Sequence, residues 1–207
     1  HQTWFKPDHS TLIIVGDVTM KEVKPEVEKV FKNWMPGNVP KKNIAEVPLR
    51  KQPAIYLLDR PEAPQSVVIA GLPAPSSSHP EALAIDLMNF ILGGDFVSRL
   101  NMNIREDKHW SYGVFSTLIE ARGQRPFLVV APVQADKTKE TIEEILAEIK
   151  SLLTNKPVTS DEYQNARRSR VNQLPALWET MAGVESSLVE LVNFNLPDDY
   201  FEKYPAR

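Results

Sequence analysis

The chain has 207 residues, of which 42% are hydrophobic and 25% charged, with a formal net charge of −3 and no cysteine. This length and apolar content suit one large packed domain, or one with an appended helical segment, and exclude a disordered chain. The mildly acidic balance argues against nucleic acid as the main partner, and the absence of cysteine excludes disulfides, thiol nucleophiles and thiolate metal sites.

No apolar run approaches the ~20 residues of a membrane-spanning helix, and no signal peptide is visible. The chain opens at His1 in the middle of a pattern, so it reads as a segment of a longer protein. The first predicted element is the β-branched run "TLIIVGDV", Thr11 to Val18, a buried strand. Thr19 with Glu22 three residues on forms a capping box. Val23, Val27, Val30, Phe31 and Trp34 then give one apolar helix face, with Pro25 placed awkwardly early. "MPGNVP" ends that helix, and residues 36–53 read as a surface connection. Two short strands follow, "AIYLLD" from Ala54 and "SVVIAGL" from Ser66, separated by the turn signal "RPEAP".

A helix is expected from Ser78, with Glu81 completing a second capping box. Its face is Leu83, Leu87, Met88, Ile91 and Leu92, and Gly93 supplies a left-handed stop. A shorter helix covers about Asp95 to Asp107. Strands Ser111 to Glu120 and Pro126 to Gln134 come next, joined by "ARGQR" and antiparallel, with Pro132 suggesting an edge or a bulge. Ile142, Ile145, Leu146, Ile149, Leu152 and Leu153 mark another helix. "TNKPV" breaks it, and Thr159 with Glu162 opens a third capping box, with Val158 and Tyr163 placed as a hydrophobic staple. Helix then continues to about Asn195, bent near Pro175. Blocks of strands and helices without regular alternation predict an α+β fold, an antiparallel sheet with helices packed on one face. Residues 1–207 read as a single domain, with 1–155 holding the sheet and flanking helices and 156–207 a helical extension.

The four histidines, His1, His9, His79 and His109, include no i, i+4 pair, and neither H-E-x-x-H nor its inverted form occurs, so this chain does not build a catalytic zinc site. No serine sits in a G-x-S-x-G elbow. "GGDFVSR" follows a helix and lacks the lysine of a phosphate loop, so helix termination explains its glycines. The basic run Arg167 to Arg170 lies among acids and reads as a solvated helix face. Within "LGGDFVSRLNMNIREDKHWSYG", Leu100 and Ile104 face the core. Taken singly, Arg105 is a helix-end cation paired with Glu106 or another acid, and Tyr112 a half-buried strand tyrosine. Taken together, a helix end and a strand start bring a guanidinium and a phenol to one rim of the sheet. The first binds carboxylates or peptide carbonyls through its fork of donors, and the second could donate to an oxyanion formed in acyl transfer. The pair is an electrophilic half-site without a nucleophile.

Three segments in order resemble the inverted-motif zinc peptidases of the pitrilysin, insulin-degrading and mitochondrial processing type. "FKPDHSTLIIVGDV" is similar to the strand that opens the second α/β domain of each family half. "LGGDFVSRLNMNIRED" is similar to that domain's Leu-Gly-Gly, Ser-Arg-Leu, Arg-Glu run, and "PVTSDEYQNAR" to its threonine-capped helix. The resemblance implies a non-zinc domain of a zinc metallopeptidase, inactive alone. Zinc would be bound by another domain or partner subunit bearing H-x-x-E-H. In the family an arginine and a tyrosine seven residues apart complete the active site, and the match falls on Arg105, as a substrate-binding residue, and Tyr112, as substrate-binding and catalytic. The implied partners are a peptide substrate and a zinc-bearing domain or subunit; for a bacterial source the implied location is periplasmic or secreted. The alternative is a structural, partner-stabilising subunit of the same fold. Trp110-Ser111 before the tyrosine and Asn101 after Ser-Arg-Leu depart from the family's usual Leu-Ala or Leu-Gly and aromatic.

Overall fold

The computed structural model describes residues 1–206, which group into two compact units, His1–Ala45 with Asn172–Ala206, and Glu46–Val171. The second unit holds the sheet. Its strands are β1 (Gln65–Ala74), β2 (Phe115–Leu118) and β3 (Arg125–Gln134), all antiparallel, in the order β1-β3-β2. The register pairs Val68 with Ala131, Ala70 with Val129, and Ser116 with Val129, which puts these side chains on one face. Against that face pack Leu92, Leu100, Ile104, Val114 and Ile145, forming a single apolar core. Leu92 comes from the π-helical turn Phe90–Gly94 that continues α2 (Ala82–Asn89), Leu100 and Ile104 from α3 (Arg99–Asn101) and its π-helical continuation Met102–Asp107, Val114 from the segment just before β2, and Ile145 from α4 (Thr138–Leu152). Val67, Ile69 and Phe115 on the opposite face are exposed. Helices on one side of an antiparallel sheet are the α+β arrangement expected from the sequence.

Arg125, at the start of β3, is wholly buried within this unit. Its guanidinium donates to the Pro75 carbonyl at 3.0 Å and pairs with Asp86 at 2.8 Å and Glu120 at 3.3 Å, so the charge is compensated where water is excluded. Burial pushes the Asp86 carboxyl above its ordinary range, and Arg125 opposes that rise.

The first unit contains α1 (Met20–Phe31), the end of α5 (Ser160–Leu177), α6 (Met181–Phe194) and α7 (Tyr200–Lys203). Thr19 and Glu22 form the expected capping box on α1, and Pro25 is accommodated inside the helix. Trp178 donates from Nε1 to Ser187 Oγ at 3.0 Å and meets Phe201 edge-on.

Several local expectations are corrected. Residues 11–15 and 54–59 form no strand, and Leu12, Ile14 and all of Ile55, Tyr56, Leu57 and Leu58 are exposed. Apolar β-branched content favours an extended chain, but a strand exists only where a neighbour completes its ladder. The helix expected from Ser78 begins at Ala82 instead, because the residue before Pro80 is steered away from helical backbone and His79 takes the Glu81 N–H on its ring nitrogen. Gly93 is not a left-handed stop, since no glycine among the described residues has positive φ. Pro132 lies in the central strand, opposite Val67 but beyond the last β2 pair, Phe115 with Val130. No β2 ladder bond is therefore lost to it. The long final helix is two: α5 ends at Leu177, Thr180 caps α6, and Asn195 closes α6 in left-handed backbone at φ 52°. The Thr159–Glu162 capping box stands as expected.

Candidate functional site

The segment from Ser98 to Val114 carries both sequence-predicted site residues. Leu100 and Ile104 are fully buried and anchor α3 and its π-helical continuation to the sheet. The π turn ends where Lys108 N–H reaches Asn103 O and Trp110 N–H reaches Ile104 O. His109 adopts φ 58°, a left-handed conformation uncommon for a side chain with a Cβ, and redirects the chain toward β2. Its new course is fixed to β3. Gln134 donates its backbone N–H to Trp110 O at 3.0 Å and its side-chain amide to His109 O at 3.2 Å, and Ser111 Oγ donates to Pro132 O.

Arg105 projects from the π turn with its side chain 28% exposed. Nη1 lies 2.7 Å from Glu106 Oε1, and the guanidinium carbon sits 4.1 Å from the centroid of the Phe96 ring. The ring face attracts the cation and holds its plane. Nη1 is buried against the Glu106 carboxylate and makes no well-directed hydrogen bond, so Glu106 meets it as an ion pair only. Tyr112, on the redirected segment, is 91% exposed, not half-buried as the sequence suggested. No hydrogen bond or cation–ring contact joins Arg105 to Tyr112. They stand at the two ends of one braced connection, the guanidinium on its platform and the phenol in solvent.

Arg99 forms a forked pair with Glu162 at 2.6 and 2.7 Å and donates to Lys156 O and Pro157 O. Those bonds tie α3 to the start of α5. Hydrogen bonding to Arg99 is the largest cause that draws the Glu162 carboxyl from 4.5 to about 2; burial opposes it, and the Thr159 cap adds to it. A groove of about 1100 Å³ lies here, lined by Arg99, Asn103, Lys108, Glu144 and Glu162 among others, and neither Arg105 nor Tyr112 lines it. Within it Lys108 pairs with Glu144 at 3.2 Å, and the Asn103 amide donates to Glu144 and Glu148 at 3.0 and 2.9 Å. The exposed rim, not this groove, is the better candidate site. The roles of Phe96, Asn101 and Ser111 are what sequence reasoning missed, since Asn101 and Ser111 bond backbone groups and Phe96 offers Arg105 a ring face, which no motif marks.

Among the described residues no group of three or more His, Asp or Glu side chains converges to hold a metal ion. The donor set does not suit zinc, and no step here runs through a metal. An antiparallel sheet backed by helices on one face makes this an α+β domain. The sequence profile of the peptidase M16 inactive domain matches residues 1–170. The chain belongs to that family. It is 25% identical over 175 residues to the Bacillus subtilis (strain 168) protein described as uncharacterized zinc protease YmxG, covering 83% of this chain and 40% of that protein. The peptidase M16 inactive domain from Pseudomonas fluorescens superposes with a TM-score of 0.75 at 21% identity, over 92% of this chain and 45% of that one. A protease from Helicobacter pylori gives 0.74 at 19% identity, over 93% and 47%. The chain therefore spans less than half the length of these relatives.

Proposed function

We propose that this domain completes the active site of a zinc peptidase in trans, binding substrate peptide through Arg105 and stabilising the tetrahedral intermediate through Tyr112. The zinc-bearing domain or subunit would supply the metal and the attacking water. The observation that carries the reading is the pairing of an exposed phenol with a platform-held guanidinium at the ends of one braced connection. A guanidinium suits a peptide carbonyl or carboxylate through its fork of donors. A phenol free of internal hydrogen bonds can donate wholly to a developing oxyanion, and holding it on a fixed segment avoids reorganisation during the reaction. The Arg105–Glu106 ion pair favours a second reading, a partner-stabilising domain whose arginine is already satisfied.

Peptide hydrolysis by the complete parent protein separates the two. Arg105→Ala is expected to raise KM about tenfold or more, the loss of a charge-assisted hydrogen bond of ~1.5–3 kcal/mol. Tyr112→Phe is expected to lower kcat by roughly 10²–10³ with zinc content and folding unchanged. If neither variant alters hydrolysis, the partner-stabilising reading takes its place.

A further inference from the structure

We propose that Asn101 is a positioning residue that sets Arg105 and Tyr112 in register, through the Phe96 carbonyl on one side and the Val114 amide on the other. This inference rests on the half-site reading above. Asn101 is the last residue of α3 and has no exposed surface. Its Nδ2 donates to Phe96 O at 2.6 Å, and its Oδ1 accepts from Val114 N at 3.0 Å. Both ends of this side chain lead to the site. Phe96 carries the ring beneath the Arg105 guanidinium. Val114 is fully buried and lies two residues after Tyr112, so its N–H fixes where the phenol-bearing segment enters β2.

The planar amide donates at one end and accepts at the other across this buried gap. A leucine fills a similar volume but offers neither bond. The Phe96 loop and the Val114 segment, 18 residues apart in sequence, would then keep their separate packing while losing the link that orients one against the other. Phe96 itself is exposed, so its hold on Arg105 depends on how its backbone is pinned. A mispositioned donor costs rate even when the fold persists, and a displacement near 1 Å can cost about a hundredfold.

The test compares wild type, Asn101→Leu, Tyr112→Phe and the double variant in the complete parent protein. It records kcat and KM, amide hydrogen exchange at Val114, and the proton shift of the Arg105 Nε–H, which senses the Phe96 ring current. Asn101→Leu is expected to lower kcat by roughly ten- to a hundredfold, and to add far less than that in the Tyr112→Phe background. Val114 exchange should quicken and the Arg105 proton should move toward its free-chain position. A fully additive loss, or no loss where Tyr112→Phe alone is impaired, overturns the positioning role and leaves the half-site reading intact. If Tyr112→Phe has no effect, the half-site reading falls, and the two spectroscopic signals decide about Asn101; unchanged signals overturn it. Should Asn101→Leu fail to fold, Asn101→Asp keeps the shape and the acceptor. It is expected to retain slow Val114 exchange while the Arg105 signal shifts, and loss of protection at Val114 with an unmoved Arg105 signal would contradict the assignment.

Discussion

Gly93 sits where the β2 backbone leaves no room for a side chain. A Cβ there would come within 2.5 Å of Ser116 Oγ and 2.7 Å of the Ser116 backbone nitrogen. The strand cannot retreat, because Ser116 pairs with Val129 in the sheet core. Gly93→Ala should therefore lower stability by roughly 1–2 kcal/mol, overpacking outweighing the helix-propensity gain. A chemical denaturation midpoint equal to or above wild type would contradict this close approach. The same scale governs the site. The seven-residue spacing of Arg105 and Tyr112 was legible in the sequence, but their surroundings were not. The Phe96 platform, the left-handed His109 and the Asn101 amide depend on backbone geometry that residue types alone do not encode.

At the scale of elements, capping boxes divide the legible from the illegible. Thr19–Glu22 and Thr159–Glu162 open helices as their spacing predicts, because cap, acceptor and donor lie within one turn. Ser78–Glu81 has the same spacing and opens nothing, because Pro80 intervenes. Strands are less legible still. "SVVIAGL" became β1 because β3 lies beside it, whereas "AIYLLD" has equal apolar content and no ladder partner. The joint between α3 and α5 was invisible for a related reason: Arg99 and Glu162 lie 63 positions apart. This joint also makes a prediction. Glu162 titrates near 2 in the fold against an ordinary 4.5. The folded state thus holds its proton less tightly than the unfolded chain, so its contribution is complete above about pH 4.5 and is lost as pH falls toward 2. Denaturation of Glu162→Gln should show a shallower loss of stability across that window than wild type. Parallel pH profiles would mean that the Arg99–Glu162 fork adds nothing.

The sheet-bearing unit packs helices on one sheet face and leaves Val67, Ile69 and Phe115 on the other exposed, and the chain spans less than half the length of its relatives. Its fold class was legible because blocks of strands and helices, read together, tolerate errors in single elements. Two of the expected strands are absent, and the antiparallel sheet with one-sided helices remains. No helix among the described residues is long and apolar enough to cross a membrane. The described residues of this domain gather no metal ligands, and in the proposed reading the hydrolytic chemistry comes from a zinc-bearing domain or subunit. The central claim is that it gives something back to that chemistry. The most direct measurement is peptide hydrolysis by the zinc-bearing domain or subunit alone, with this chain added, and with its Tyr112→Phe variant added. The account predicts hydrolysis only on addition of the chain, and a rate roughly 10²–10³ lower with the variant. Full activity without the chain, or equal activity with either form, would contradict it.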